Sequence, residues 1–147
     1  MISTPNLEQA KNLIKKAIAA KEKPIIVKAQ NPEFDRKILE YGKFDVLLSI
    51  ESTTKKEDTP KNINSGLNHV LAKIASKNNI FIGIDLKEIL SLDKKEKAIR
   101  LSKIIQNIKI TRKAKAKLKL FNFKDKKSAF SFLISLGAST QQAKDAI

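Results

Sequence analysis

Apolar and polar positions along the chain alternate between two periods, and the switches mark the elements. Leu7, Ala10, Leu13, Ile14, Ala17 and Ile18 recur at helical spacing. They predict an amphipathic helix to about Ala20, with Thr4 as cap and Pro5 in the first turn. Pro24 to Lys28 is a short apolar run, as expected of a strand buried on both faces. Asn31-Pro32 repeats the cap-and-proline start, Phe34, Ile38, Leu39 and Tyr41 give the next helix, and Gly42 suits its end. Phe44 to Ile50 predicts a second strand. Glu51 to Asn64 is polar, contains Pro60 and has no period, so it is a loop at the C-terminal end of a strand, where α/β folds carry binding loops.

A helix is expected from Ser65, as cap, to about Asn78, with Leu67, Val70, Leu71 and Ile74 as its apolar face. Ile80 to Asp85 predicts the third strand. Asp85 followed by Glu88 is read either as a capping box for a short helix through Leu90 or as an acid at a strand end. Asp93 and Glu96 start the longest helix, to about Ala114. Ala98, Leu101, Ile105 and Ile108 are expected to face the core, with Arg100, Lys103, Asn107 and Thr111 as a polar stripe on the other side. Lys117 to Phe121 alternates strictly and predicts the fourth strand. Asp125 caps a helix built on Ala129, Phe130, Leu133 and Ile134 and ending at Gly137, and Ser139 with Gln142 boxes a last helix, Thr140 to Ala146. Strands alternating with helices imply an α/β fold with a parallel sheet, in one domain over 1–147.

Charge adds the main functional hint. The 147 residues carry 30 Lys and Arg against 15 Asp and Glu, a formal net charge of +15. Such an excess points to a polyanionic partner, usually nucleic acid. Only Arg36, Arg100 and Arg112 are arginines, and an overall bias toward Lys, Ile and Asn supplies part of the excess. Aromatic residues make up 5%, too few for stacking platforms, so binding would rest on lysine–phosphate contacts and RNA shape. There are no cysteines, which removes disulfides and cysteine-ligated zinc. No apolar run approaches a membrane span, and the N-terminus lacks a secretory core.

The chemistry-bearing groups are few. His69 is the only histidine, too few for a histidine–carboxylate hydrolase. An all-carboxylate magnesium site would have to draw on Asp45, Glu51 and Asp85. A serine–histidine pair would need Ser49 or Ser65 beside His69 with a third orienting group, which the spacing does not supply. Single glycines make no phosphate-cradling loop. His69 and Lys73 lie four apart and share a helix face, where they are either a solvated pair or contacts to RNA. Arg112, Lys113 and Lys115 crowd the end of the longest helix, where pairing with the helix dipole explains them as well as RNA does.

The nonapeptide Ser65-Gly66-Leu67-Asn68-His69-Val70-Leu71-Ala72-Lys73 resembles the signature of the ribonuclease P protein component 3 family, the archaeal relative of the eukaryotic p-thirty subunit. The likeness extends through Ile74-Ala75, Asn78-Asn79, the following strand, the basic helix and the terminal helical pair, and back through Asn31–Leu39 and Phe44–Leu47. It implies a TIM-barrel-like fold. Only four strands are legible where a closed barrel has eight, so a partial or open barrel is expected, one edge of which is covered by another chain. The resemblance further implies a cytoplasmic subunit of the endoribonuclease that removes the 5′ leader from precursor tRNA. Its RNA carries the Mg2+-dependent hydrolysis, and the protein itself supplies no catalytic residue, metal site or cofactor. Its partners would be the ribonuclease P RNA, a second small protein subunit and, through the complex, precursor tRNA. The implied RNA contacts are Ser65, Asn68, His69 and Lys73; Arg100, Lys103, Arg112 and Lys113 join them on charge placement. The alternatives are a metal-dependent phosphoester hydrolase on a barrel-like scaffold and a generic basic RNA-binding protein.

Overall fold

The computed structural model describes residues 1–53 and 64–147. The expected loop over 51–64 therefore lies largely outside the described residues, which include only its two ends. The chain runs α1 (Leu7–Ala19), β1 (Ile26–Lys28), α2 (Pro32–Tyr41), β2 (Val46–Leu48), a 3-10 turn (Ile50–Ser52), α3 (His69–Lys77), β3 (Phe81–Asp85), α4 (Leu86–Leu90), α5 (Lys94–Ala114), β4 (Lys117–Phe121), α6 (Lys126–Ser135) and α7 (Thr140–Ala146).

The four strands are parallel and lie in chain order, β1-β2-β3-β4, as an open sheet. Parallel register puts paired residues on one face. Val27, Leu47, Ile82 and Leu118 point one way and join the buried cluster of Ile14, Ile38, Leu39, Leu71, Ile104 and Ile108 from the helices. The opposite face carries the layers Ile26, Val46, Phe81, Lys117 and Lys28, Leu48, Gly83, Lys119, the side that would line a closed barrel. Gly83 is there because of its neighbours: a Cβ would stand 2.6 Å from Val46 Cγ1 and 3.0 Å from Leu48 Cδ1. Ile2 extends the sheet past β1 by a single bridge, its N–H donating to the Ile26 carbonyl and its carbonyl accepting from the Lys28 N–H.

Local capping fixes most boundaries. Asn31 Oδ1 accepts from the Phe34 N–H with Pro32 behind it, Gly42 closes α2 at φ 71°, Asp93 and Asp125 cap α5 and α6, and Ser139 with Gln142 forms a reciprocal box. Two starts, one capping box and two faces differ from the sequence reading. α1 is capped by Asn6, not Thr4, whose buried hydroxyl instead accepts from the Asn6 N–H and bonds Gln9. α3 starts at His69 under an Asn68 cap, not at Ser65. Asp85 caps α4, but Glu88 does not return the favour, because its carboxylate is engaged elsewhere. Val70, expected in the core, is 54% exposed, and α3 buries Leu71, Ala72 and Ala75 instead.

The second face is that of α5. Its buried residues are Lys103, Ile104, Asn107, Ile108, Thr111 and Ala114, so the expected polar stripe faces inward. Ala98 is exposed and Leu101 and Ile105 are only half-buried. The helix has apolar residues around its whole girth and therefore no apolar stripe to orient it by hydrophobicity alone.

Candidate functional site

At the start of the segment Ser65–Lys73, Ser65 and Gly66 hold together the two described ends of the loop that precedes it. Ser65 is buried, its hydroxyl donates to the Leu67 carbonyl, and its own carbonyl accepts from Asn107 Nδ2 at 3.3 Å. Gly66 stands at φ 79° against the turn Ile50–Ser52; a Cβ there would collide with the Ile50 carbonyl oxygen. The two ends of the loop are thereby pressed together beneath α5. Asn68 Oδ1 accepts from the Leu71 N–H at 2.9 Å, so its side chain is committed to the cap. His69 and Lys73 are exposed on successive turns of α3, as the spacing implied.

The inward stripe of α5 grips that closed loop. Arg100 lies 3.0 Å from Glu88 and 3.6 Å from Glu51. Glu88 also accepts from the Ser49 hydroxyl at 3.0 Å and pairs with Lys28 at 3.6 Å. This carboxylate thus joins β1, the end of β2, α4 and α5. Glu51 is 1% exposed and neither carboxylate oxygen has a hydrogen-bond partner. Burial pushes its pKa up to about 7, with the neighbouring Glu88 charge adding to the rise and the positive charge of Arg100 and Lys103 opposing it. Lys103 is 2% exposed. A cleft of about 410 Å³ opens beside this cluster, lined by Glu51, Ser52, Asp93, Glu96, Arg100 and Lys103 among others. Its lining mixes both charges, so it does not form a field of one sign.

Of the residues assigned to an RNA-facing surface from sequence, Ser65, Arg100 and Lys103 lie inside the fold, where their partners are the loop ends and carboxylates. Asn68, His69, Lys73, Arg112 and Lys113 are exposed. They do not form one cluster by chain placement. Asn68 and His69 stand where α3 begins, whereas Arg112 and Lys113 stand where α5 ends, next to the start of β4. Arg112 also donates to the Gly137 carbonyl at 3.0 Å. Lys77 and Lys117, not singled out from sequence, lie exposed at the same end of the sheet as Lys113, just before or at a strand start.

The acids offered for a magnesium site have other employment and do not converge. Asp45 precedes β2, where it accepts from the Ile25 N–H at 2.6 Å and pairs with Lys23 at 3.3 Å. Asp85 sits at the far end of β3, capping α4 and accepting from Asn122 Nδ2 at 2.8 Å. Among the described residues no group of three or more His, Asp or Glu is placed to hold a metal ion.

The architecture is that of a partial parallel α/β barrel, with sequential strands and helices packed on one face. No family model matches the sequence, and no curated protein is similar to it. Among solved structures, a chain in the cryo-EM structure of archaeal ribonuclease P with mature tRNA shares this fold at a TM-score of 0.76 and 24% identity, over 98% of the present chain. The present chain spans 61% of the length of that one. The likeness shows a shared fold, and the open order of four parallel strands makes it a partial, TIM-barrel-like one.

Proposed function

We propose that this chain is a protein subunit of ribonuclease P, supporting a catalytic RNA in removing the 5′ leader from precursor tRNA. The observation that carries the reading is the shared fold with a chain of the archaeal enzyme over 98% of this sequence. The signature at Ser65–Lys73 and the net charge of +15 agree with it. The chemistry fits a scaffold: lysines neutralise phosphates as a structured RNA folds, and hydrolysis with Mg2+ belongs to the RNA. A second small protein subunit and precursor tRNA complete the assembly, in the cytoplasm.

Reconstitution tests this. Adding the chain to its cognate ribonuclease P RNA and the other protein subunits should raise leader cleavage at low Mg2+, and omitting it should lose that gain. Phosphoester turnover by the chain with divalent metal and no RNA would instead identify a barrel-scaffold hydrolase. Recovery of ribosomal RNA rather than ribonuclease P RNA on co-purification would identify a generic RNA binder. Replacing His69 and Lys73 together by alanine should leave the melting temperature unchanged, both side chains being exposed, and weaken assembly with the RNA. Unchanged assembly would remove that face from the interface.

A further inference from the structure

The way the fold runs leaves one end of the sheet with many lysines and few acids. α1, α2, α3 and α5 each lead into a following strand of a parallel sheet, so their C-termini all lie at the end where the strands begin. At the other end acids and lysines are interspersed: Glu51, Asp85, Glu88, Asp93, Glu96 and Asp125 follow strand ends or open helices there, among Lys87, Lys94, Lys95, Lys97, Lys124, Lys126 and Lys127. At the strand-start end stand Lys21, Lys43, Lys77, Lys113, Lys115 and Lys117, all exposed. The carboxylates at that end are Glu22, Glu40 and Asp45. Asp45 is taken by Lys23 and the Ile25 N–H, and Glu40 by Arg36. Lys77, Lys113, Lys115 and Lys117 have no ion-pair partner among the described residues.

A cleft of about 190 Å³ lies within this basic end, between the ends of α3 and α5 and the starts of β3 and β4, lined by Ser76, Asn79, Phe81, Lys115 and Lys117 with neighbouring backbone. Its walls are held in place. The Ser76 hydroxyl donates to the Lys115 carbonyl at 3.0 Å, tying the two helix ends together. Lys115 at φ 59° and Asn79 at φ 56° are turn residues with exposed side chains at the rim.

Resting on the reading of the chain as an RNA-binding subunit, we propose that the phosphate backbone of a structured RNA docks across the end of the sheet where the strands begin, with one phosphate seated between Lys115 and Lys117 beside Ser76 and Asn79. Helix-dipole pairing accounts for a lysine at each C-terminus, and Lys43, just past the Gly42 cap of α2, lies over the Tyr41 ring, but Lys117 lies in a strand and is not at a helix end. The same dipoles sharpen the expectation. The carbonyl ends of α3 and α5 face this cleft and repel an anion, so the attraction comes from the lysines alone.

The test compares two charge-matched variants in binding to ribonuclease P RNA across a salt series, with thermal melts to establish folding. Lys77, Lys113, Lys115 and Lys117→Gln should bind about 100-fold more weakly near physiological salt, with a salt slope shallower by about three. Lys87, Lys124, Lys126 and Lys127→Gln, at the opposite end, should bind within a few-fold of wild type. A folded first variant that binds like wild type overturns the proposal, and so does equal loss in both. A wild-type chain that fails to bind the RNA at all overturns the subunit reading itself. A first variant that melts lower but keeps its affinity assigns these lysines to the helix dipoles and overturns the docking surface.

Discussion

Single residues in the signature segment divide between fold and surface. Gly66 holds a left-handed backbone against the Ile50 carbonyl, so Gly66→Ala should lower stability by about 2 kcal/mol or more in urea unfolding, from strain and collision together. Asn68→Ala should cost about 1 kcal/mol through the lost cap. A nonapeptide recognisable as a motif therefore contains residues whose spacing answers to loop closure, and sequence pattern alone does not separate these from the exposed His69 and Lys73. Glu51 behaves differently again. Burial raises it from an ordinary 4.5 to about 7, and Asp35 from 3.8 to about 7 despite the Gln30 N–H it accepts. The folded chain then holds protons that the unfolded chain has released. That contribution is fully present below about pH 4 and is lost as pH rises through about 7. Melting temperature should accordingly fall between about pH 5 and 7.5. Glu51→Gln with Asp35→Asn should flatten the slope; an unchanged slope would locate the titration elsewhere.

Among the elements, the caps and the strand order were legible, and the orientation of α5 was not. Asn31-Pro32, Asp93, Asp125 and Ser139–Gln142 announce helix starts because the side-chain oxygen and the fixed proline φ act locally. The inward face of α5 is decided by distant partners. Arg100, Lys103 and Asn107 look like a solvated stripe until Glu51, Glu88 and Ser65 are brought beneath them. Polar residues are tolerated inside when paired, and breaking one partner is costly because the other charge stays buried. Arg100→Ala should thus destabilise the chain by about 3 kcal/mol in urea unfolding, with Glu51→Gln recovering part of it in the double variant. Additive losses would show that Arg100 and Glu51 do not act on each other.

For the whole molecule, an open parallel sheet leaves two strand edges, and α7 packs against the last strand, β4, with Ala143 and Ala146 buried. β4 ends the strand order, while the β1 side is extended only by the Ile2 bridge. Unpaired edge groups invite pairing with another chain, and lysines discourage it; Lys117 and Lys119 place that charge on β4 itself. Repulsion between copies carrying +15 each disfavours closure by self-association and favours a partner of opposite charge or an RNA that neutralises the lysines. In the isolated chain, amide hydrogens of β4 should exchange faster than those of β2 and β3, which are flanked on both sides. If the chain assembles as proposed with ribonuclease P RNA and protein subunits, β4 should gain protection, by about tenfold or more where its edge is covered. Slow exchange along β4 in a monomeric isolated chain would mean that the fold already guards this edge and needs no partner there.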